Sequence, residues 1–420
     1  MTIQEFLNSS YTAYHATANV VELLKANGFV ELAHDGAKKW NLKRGGKYFV
    51  MRNGSSVIAF AVGNRNVFNI CESHTDSPSL KIKGGKLLES EGVKRLNTET
   101  YGGGLLYTYF DRPLKIAGRV LVETKQGVAQ KLVASSYNVV IPSLCIHHNP
   151  TANDNLSINP QVDALPMLAQ SETDLYASLT EGKVIDSDLY VVPVEPAFIS
   201  GVSGEFLSSP RIDNLTSVYT SIQALLNACP ESIALVACLD NEEIGSGTRQ
   251  GSPNFINQVL EAIAEGLDMS HTESLAAREN GMVLSIDNGQ AVHPAHPEKS
   301  DPLNRAHLNG GVLIKHHTNY ATDGLTSATV KRLLDMIGVK YQDYYNRSDL
   351  RCGRTLGTAT SSSLGMKTCD VGLAQLAMHS ACETCGTSDV IAMQRALTAF
   401  LCAYIYGTDT IIIEIKQNAI

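Results

Sequence analysis

The sequence predicts an α/β protein whose mainly parallel sheet is sandwiched by helices and interrupted by a β-rich insertion. Three observations carry that prediction. After about residue 208, apolar strand-like runs alternate with helical ones, the pattern of a parallel sheet covered on both faces. Between about 80 and 205 the runs LLYTYF, KIAGRVLV and KLVASSY are joined by glycine-containing turns, and helical periodicity is scarce. Early in the chain VFNIC (67–71) delivers the polar string Glu72-Ser73-His74-Thr75-Asp76, which places the start of the chain in the same sheet as its C-terminal half. The expected organisation is a first α/β part over 1–80, a β-rich dimerisation or insertion domain over 81–205, and a second α/β part over 206–420.

The elements follow in order. Residues 11–27 carry Ala16, Val20, Val21 and Leu24 at helical spacing and stop at Gly28. KYFVM and VIAFAVG flank Arg52-Asn53-Gly54, a hairpin signature. Thr216–Ala228 is helical, IALVACL (233–239) is a buried strand, and a helix follows Pro253. MVLSI is a second buried strand ending at Asp287, and helices are expected near 324–337 and 388–406. The longest apolar stretch, Ala396–Tyr406, falls short of the ~18 residues of a membrane span and suits a buried helix.

Composition excludes several classes. Lys plus Arg total 34 against 42 Asp plus Glu, a net charge of −8, so the clustered basic charge needed for nucleic acid or an anionic membrane is missing. Hydrophobic residues at 44% and charged residues at 18% support substantial cores. Nine irregularly spaced cysteines make a poor disulfide framework, which points to a reducing compartment. The opening MTIQEFLNSS has no signal-peptide character. The expected location is the cytoplasm.

Chemistry-bearing residues gather where strands end, the position of sites in open α/β sheets. His74 and Asp76 follow VFNIC, Asp213 precedes a helix, and Asp240, Glu242 and Glu243 follow IALVACL. Asp287 closes MVLSI, and His379 lies in LAMHS. There is no His-Glu-x-x-His, no Gly-x-Ser-x-Gly and no Walker loop. Gly245-Ser-Gly247 with Gly251 is spaced one residue too long for a dinucleotide loop, and the acids beside it would repel a pyrophosphate. Imidazoles with carboxylates suit zinc, manganese or cobalt. A dinuclear inventory is available: Asp213 as bridge, His74 with Glu243, and His379 with Asp287. Asp76 could orient the His74 imidazole. One of Glu242 and Glu243 could ligate while the other acts as general base. These spacings alone also suit packed histidines and a solvated acidic loop, so they leave the question open.

Six motifs in order, SHTDSP, YGGGLLYTYFDRPL, SSPRIDN, LDNEEIGS, SIDNGQAVHP and QLAMHS, resemble the aspartyl aminopeptidase family of dinuclear zinc exopeptidases over about residues 10–405. The resemblance implies a zinc-exopeptidase-like catalytic domain interrupted by a β-rich dimerisation domain, and assembly of dimers into a tetrahedral dodecamer. It implies two divalent ions per subunit, zinc first and cobalt or manganese as alternatives. His74, Asp213, Glu243, Asp287 and His379 would be the ligands, with Asp213 bridging, Asp76 in support and Glu242 as general base. His147 matches a histidine that reaches a neighbouring subunit's active site and steadies the oxyanion.

The implied activity is removal of the N-terminal residue of peptides, acidic first, with apolar residues as the alternative. Lys315, Tyr320 and Asp349 are the candidate substrate contacts, with the alignment of His316 and His317 open and Arg351 and Cys352 as further pocket candidates. Competing readings are a dinuclear deacylase or carboxypeptidase, and an inactive assembly protein. Cys382-Glu-Thr-Cys385 lacks a second cysteine pair and is read as a free-thiol helix start. His293 and His296 receive no role.

Overall fold

The computed structural model describes residues 1–415 except 35, 37 and 354. Its centre is a nine-stranded mixed sheet. The strands lie in the order Val30–Glu31, Lys47–Arg52, Ser56–Val62, Ile233–Leu239, Phe68–His74, Met282–Ile286, Lys367–Gly372, Val312–His316 and Tyr341–Tyr345. The four from Ile233–Leu239 to Lys367–Gly372 run parallel to one another. Every residue of Ser56–Val62, Phe68–His74 and Ile233–Leu239 is buried. Continuous apolar runs of this kind belong to strands covered on both faces.

Alternation along the strands sorts side chains between two layers. Ala59, Ala61, Cys71 and Val236 join the core formed with the helices Ala13–Ala26, Ile212–Asn227 and Thr387–Cys402. Ile58, Phe60, Ile70 and Leu235 face the opposite core, with Trp40, Phe255 and the helix Asn254–Gly266. The hairpin turns at Asn53-Gly54, where both residues take left-handed backbone, the conformation that a type I′ turn demands.

A six-stranded antiparallel sheet is built from strands between Ser79 and Pro193 and has its own core around Leu80, Ile116, Leu189 and Val191. A third sheet was not legible in the sequence. In it Phe198–Ser200, Phe206–Ser209, Glu383–Gly386, Ala374–Leu376 and Gly289–Gln290 lie side by side. Among the described residues no helix is long and apolar enough to cross a membrane.

Three local expectations are corrected. LLYTYF is not a strand: Leu106–Tyr109 forms a 3₁₀ turn. The Thr108 hydroxyl closes that turn on the Leu105 carbonyl at 2.6 Å, and Tyr109 turns inward to donate to the Pro78 carbonyl at 2.8 Å. The last helix ends at Cys402, because Tyr404–Tyr406 pairs as a strand with Ile412–Glu414. The Cys382–Cys385 stretch does not begin a helix. Its residues from Glu383 join a strand bonded on both sides, and the helix starts at Thr387.

Candidate metal centre

Parallel strands that end side by side present their next residues to one crevice. Leu239 is in register with His74, and Ser285 with Glu72, so Asp240, His74 and Asp287 leave the sheet along a common edge. Gly372 allows the tight fit there, since a Cβ on it would lie 1.9 Å from the Asp287 carbonyl oxygen. Asp213 enters from the start of the Ile212–Asn227 helix, Glu242 and Glu243 from the 3₁₀ turn after Leu239, and His379 from the loop between two strands of the third sheet, Ala374–Leu376 and Glu383–Gly386.

Asp213 occupies the middle, buried at 3% exposure. Its Oδ1 lies 3.5 Å from His74 Nε2, and its Oδ2 lies 3.3 Å from His379 Nε2. Asp287 Oδ1 is 3.6 Å from His74 Nε2, and Glu243 Oε1 is 3.4 Å from His379 Nε2. Two compact donor groups result, His74–Asp213–Asp287 and Asp213–Glu243–His379. This corrects the pairing suggested by the sequence, which joined His74 with Glu243 and His379 with Asp287. Spacing along the chain carries no information about strand order, and it is the Phe68–His74 to Met282–Ile286 pairing that sets Asp287 beside His74.

Both imidazoles are oriented by carbonyl oxygens. His74 Nδ1 is 3.0 Å from the Asp76 carbonyl, and His379 Nδ1 is 3.1 Å from the Gly103 carbonyl. A carbonyl only accepts, so each Nδ1 donates to it and each Nε2 is turned toward the cluster, where it would ligate an ion on giving up its own proton. The Asp76 carboxylate, expected to orient His74, has its Oδ1 3.4 Å from His74 Nδ1, and it also holds the acidic turn. It accepts from the backbone N–H groups of Glu242 and Glu243 at 3.1 Å each and from the Tyr101 hydroxyl at 2.7 Å.

The field at the cluster is strongly negative. Desolvation opposes a charge on His74, yet the Asp213, Asp287 and Asp76 carboxylates 3.4–3.6 Å from its ring nitrogens hold its pKa well above the usual imidazole value. His379 is likewise raised to about 10 against its desolvation, chiefly by Asp213 and Glu243. Burial pushes Glu242 up to about 7, with the His74 charge opposing and Asp287 adding to the rise. Five carboxylates around two imidazoles is an arrangement that calls for cations. Asp213 Oδ1 is buried and accepts no hydrogen bond among the described residues, a free lone pair at the centre of the cluster. The donor set therefore fits divalent ions with mixed nitrogen and oxygen ligation.

The remaining candidates lie as follows. Lys315 is buried, and its Nζ donates to the Asp287 carboxylate at 3.1 Å and to the carbonyls of Asp287 and Asn288 at 3.1 and 3.0 Å. Its three N–H groups are matched by three acceptors, so the cation expected for a substrate carboxylate is engaged within the chain. Tyr320 has its ring 5.0 Å from Lys315 Nζ, and its hydroxyl accepts from Cys352 Sγ at 3.1 Å. Asp349 is not brought to the cluster: it is exposed and forks onto Arg347 at 2.7 and 2.9 Å. His316 Nε2 pairs with Asp343 at 2.8 Å instead of facing the cluster. His147 sits on an exposed turn, and among the described residues no hydrogen bond or ion pair joins it to the cluster. Sequence reasoning missed Tyr101, whose partner is the Asp76 carboxylate, and Glu383, whose partners are the backbone amides of Asp213, far away in the chain, and of nearby His379; the glutamate between Cys382 and Cys385 was visible, but nothing local marked it.

The sequence profile of the aminopeptidase I zinc metalloprotease (M18) family matches residues 6–401. A probable M18 family aminopeptidase 2 from Clostridium acetobutylicum is 38% identical over 420 residues, covering 94% of this chain and 96% of the relative. One from Pseudomonas entomophila is 37% identical over 94% of this chain and 96% of its own. Among solved structures, a chain of the Ape4 and Nbr1 complex superposes with a TM-score of 0.88 at 31% identity, covering 95% of this chain and 84% of that one. The Saccharomyces cerevisiae mApe1 dodecamer superposes at 0.81 with 26% identity, covering 95% of each chain.

Proposed function

Because the chain belongs to the M18 family of aminopeptidase I zinc metalloproteases, we propose that it removes the N-terminal residue of peptides at a centre of two divalent ions. The observation that carries this reading is the disposition of Asp213, whose two oxygens face different imidazoles. Asp213 would be shared, with His74 and Asp287 completing one group and Glu243 and His379 the other. When bound, the ions supply Lewis-acid polarisation of the scissile carbonyl and acidification of water.

Glu242 is the proton carrier. Its Oε2 lies 4.0 Å from His74 Nε2, its backbone is fixed by Asp76, and burial sets its affinity for protons in the range where it can both take and return one. It would accept a proton from the attacking water and deliver it to the amine nitrogen as the C–N bond breaks. Lys315 would steady Asp287 instead of reading the substrate side chain, so the case for an acidic N-terminal residue no longer rests on that residue.

Assembly belongs to the same reading. Leu144, Ile146, Leu156 and Val162 are each at least half exposed on the long loop that carries His147, and an apolar patch of this kind favours a partner surface. A dodecamer, the assembly of the mApe1 structure, would cover it and bring His147 to a neighbour's site, where it would donate to the developing oxyanion.

The test is initial rates on Asp-, Glu-, Leu- and Lys-p-nitroanilide before and after chelation and metal restoration. Metal-dependent cleavage is expected, with an N-acetylated peptide left intact. Absence of cleavage with zinc, cobalt and manganese alike would overturn the proposal and favour a deacylase.

A further inference from the structure

Glu383 holds the backbone of two proposed ligands at once. Its side chain is buried at 1% exposure. Oε2 accepts the Asp213 backbone N–H at 2.9 Å, and Oε1 accepts the His379 backbone N–H at 2.5 Å. The strand that carries it, Glu383–Gly386, lies between Phe206–Ser209 and Ala374–Leu376. Those two strands lead directly into Asp213 and His379. Glu383 thus joins the ends of its own two neighbours, just where both chains leave regular pairing.

The local backbone needs such a hold. His379 takes a left-handed conformation with φ 67°, and Arg211, two residues before Asp213, takes φ 61°. Residues other than glycine keep these conformations only where surrounding contacts enforce them. A carboxylate is the one acidic group that can accept from both amides with two equivalent oxygens. Glutamine in its place would satisfy one amide and turn its own NH₂ toward the other.

We propose that Glu383 is a positioning residue that sets the spacing of Asp213 and His379 and thereby governs the affinity of one ion of the pair. The inference rests on the ligand reading above. Two of the three residues in the Asp213–Glu243–His379 group hang from Glu383, whereas His74–Asp213–Asp287 contains only one. The two ions should therefore respond unequally. A carboxylate that merely stabilised the fold would affect both alike.

The test is a cobalt(II) titration of the chelated full-length protein and of Glu383→Gln, followed by visible absorption and by metal content per chain. The parent is expected to take two ions. The variant should keep its assembly and a cooperative melt, bind the first ion as the parent does, and bind the second about tenfold to a hundredfold more weakly, the usual cost of losing a group that orients a ligand. Parent-like binding of both ions, or equal weakening of both, would overturn the role of Glu383 alone. A parent that takes fewer than two ions would overturn the two-ion reading and this inference with it. Should the variant not fold, hydrogen exchange on the parent decides. The amides of Asp213 and His379 should stay protected after chelation, and exchange at open-loop rates would show that metal, not Glu383, holds them.

Discussion

Lys315 Nζ lies 3.1 Å from Asp287 Oδ2, and the same ammonium reaches the Asp287 backbone carbonyl at 3.1 Å. A buried cation that grips both ends of one residue fixes where its free oxygen points. Asp287 Oδ1 is left facing His74, 3.6 Å away. Truncating one member of such a pair strands the other as an uncompensated buried charge. Lys315→Ala is therefore expected to lower kcat/KM for Asp and Leu p-nitroanilides by similar factors and to reduce metal content. A loss confined to the Asp substrate would restore the direct substrate role.

Glu242→Gln removes the proton carrier while keeping its shape. The expected result is a fall in kcat of roughly 10²–10⁴-fold with metal content per chain unchanged. Metal analysis alongside initial rates checks this. A variant that retained more than a tenth of the parent kcat would assign the proton transfer elsewhere.

His147 lies on an exposed turn, and under the proposed assembly it would act at a neighbouring subunit's site. His147→Phe should lose most of its kcat while light scattering reports an unchanged assembly. Wild-type turnover in an intact assembly would reduce His147 to an interface residue.

Chelation should destabilise the fold as well as stop turnover. The carboxylates around Asp213 repel one another once no cation offsets them, and any ligand bound only by the native state stabilises it by about 2.7 kcal/mol at a hundredfold excess over its Kd. The melting temperature is expected to drop on chelation and to recover with zinc, cobalt or manganese. An unchanged melt with full loss of activity would place the ions outside the folding equilibrium.

His15 offers a pH test away from the cluster. Burial, and secondarily the Arg211 charge, lower its pKa from 6.5 to about 4, and its Nδ1 lies 2.9 Å from the Thr12 hydroxyl. The unfolded chain takes up a proton below pH ~6.5 that the folded chain refuses until pH ~4, so stability is lost as pH falls through that window. The full effect is about 3 kcal/mol, of which about 2 kcal/mol is lost by pH 5. Urea midpoints at pH 7 and pH 5 should converge in His15→Gln relative to the parent. Equal drops in both proteins would remove His15 from the acid response.

Alternating apolar runs, punctuated by Gly28 and by Asn53-Gly54, specified the helices and the hairpin because those patterns follow the geometry of the elements themselves. Most of the strand-end acids and histidines were legible for the same reason: His74, Asp213, Glu242, Glu243 and Asp287 each follow or precede an element that sequence periodicity reveals, whereas His379 sits between two strands of the third sheet, which periodicity does not reveal. The LLYTYF turn escaped because a threonine hydroxyl and a buried tyrosine overrode the strand propensity of the run.

What the sequence determined by itself is therefore which residues reach the edge of the sheet. Tertiary structure alone decided how they combine: His74 with Asp287, Lys315 on Asp287, Asp76 under the acidic turn, and Glu383 between Asp213 and His379. The physical reason is that a side chain's partners depend on strand order and register, which join segments far apart in the chain and leave no local periodicity to read.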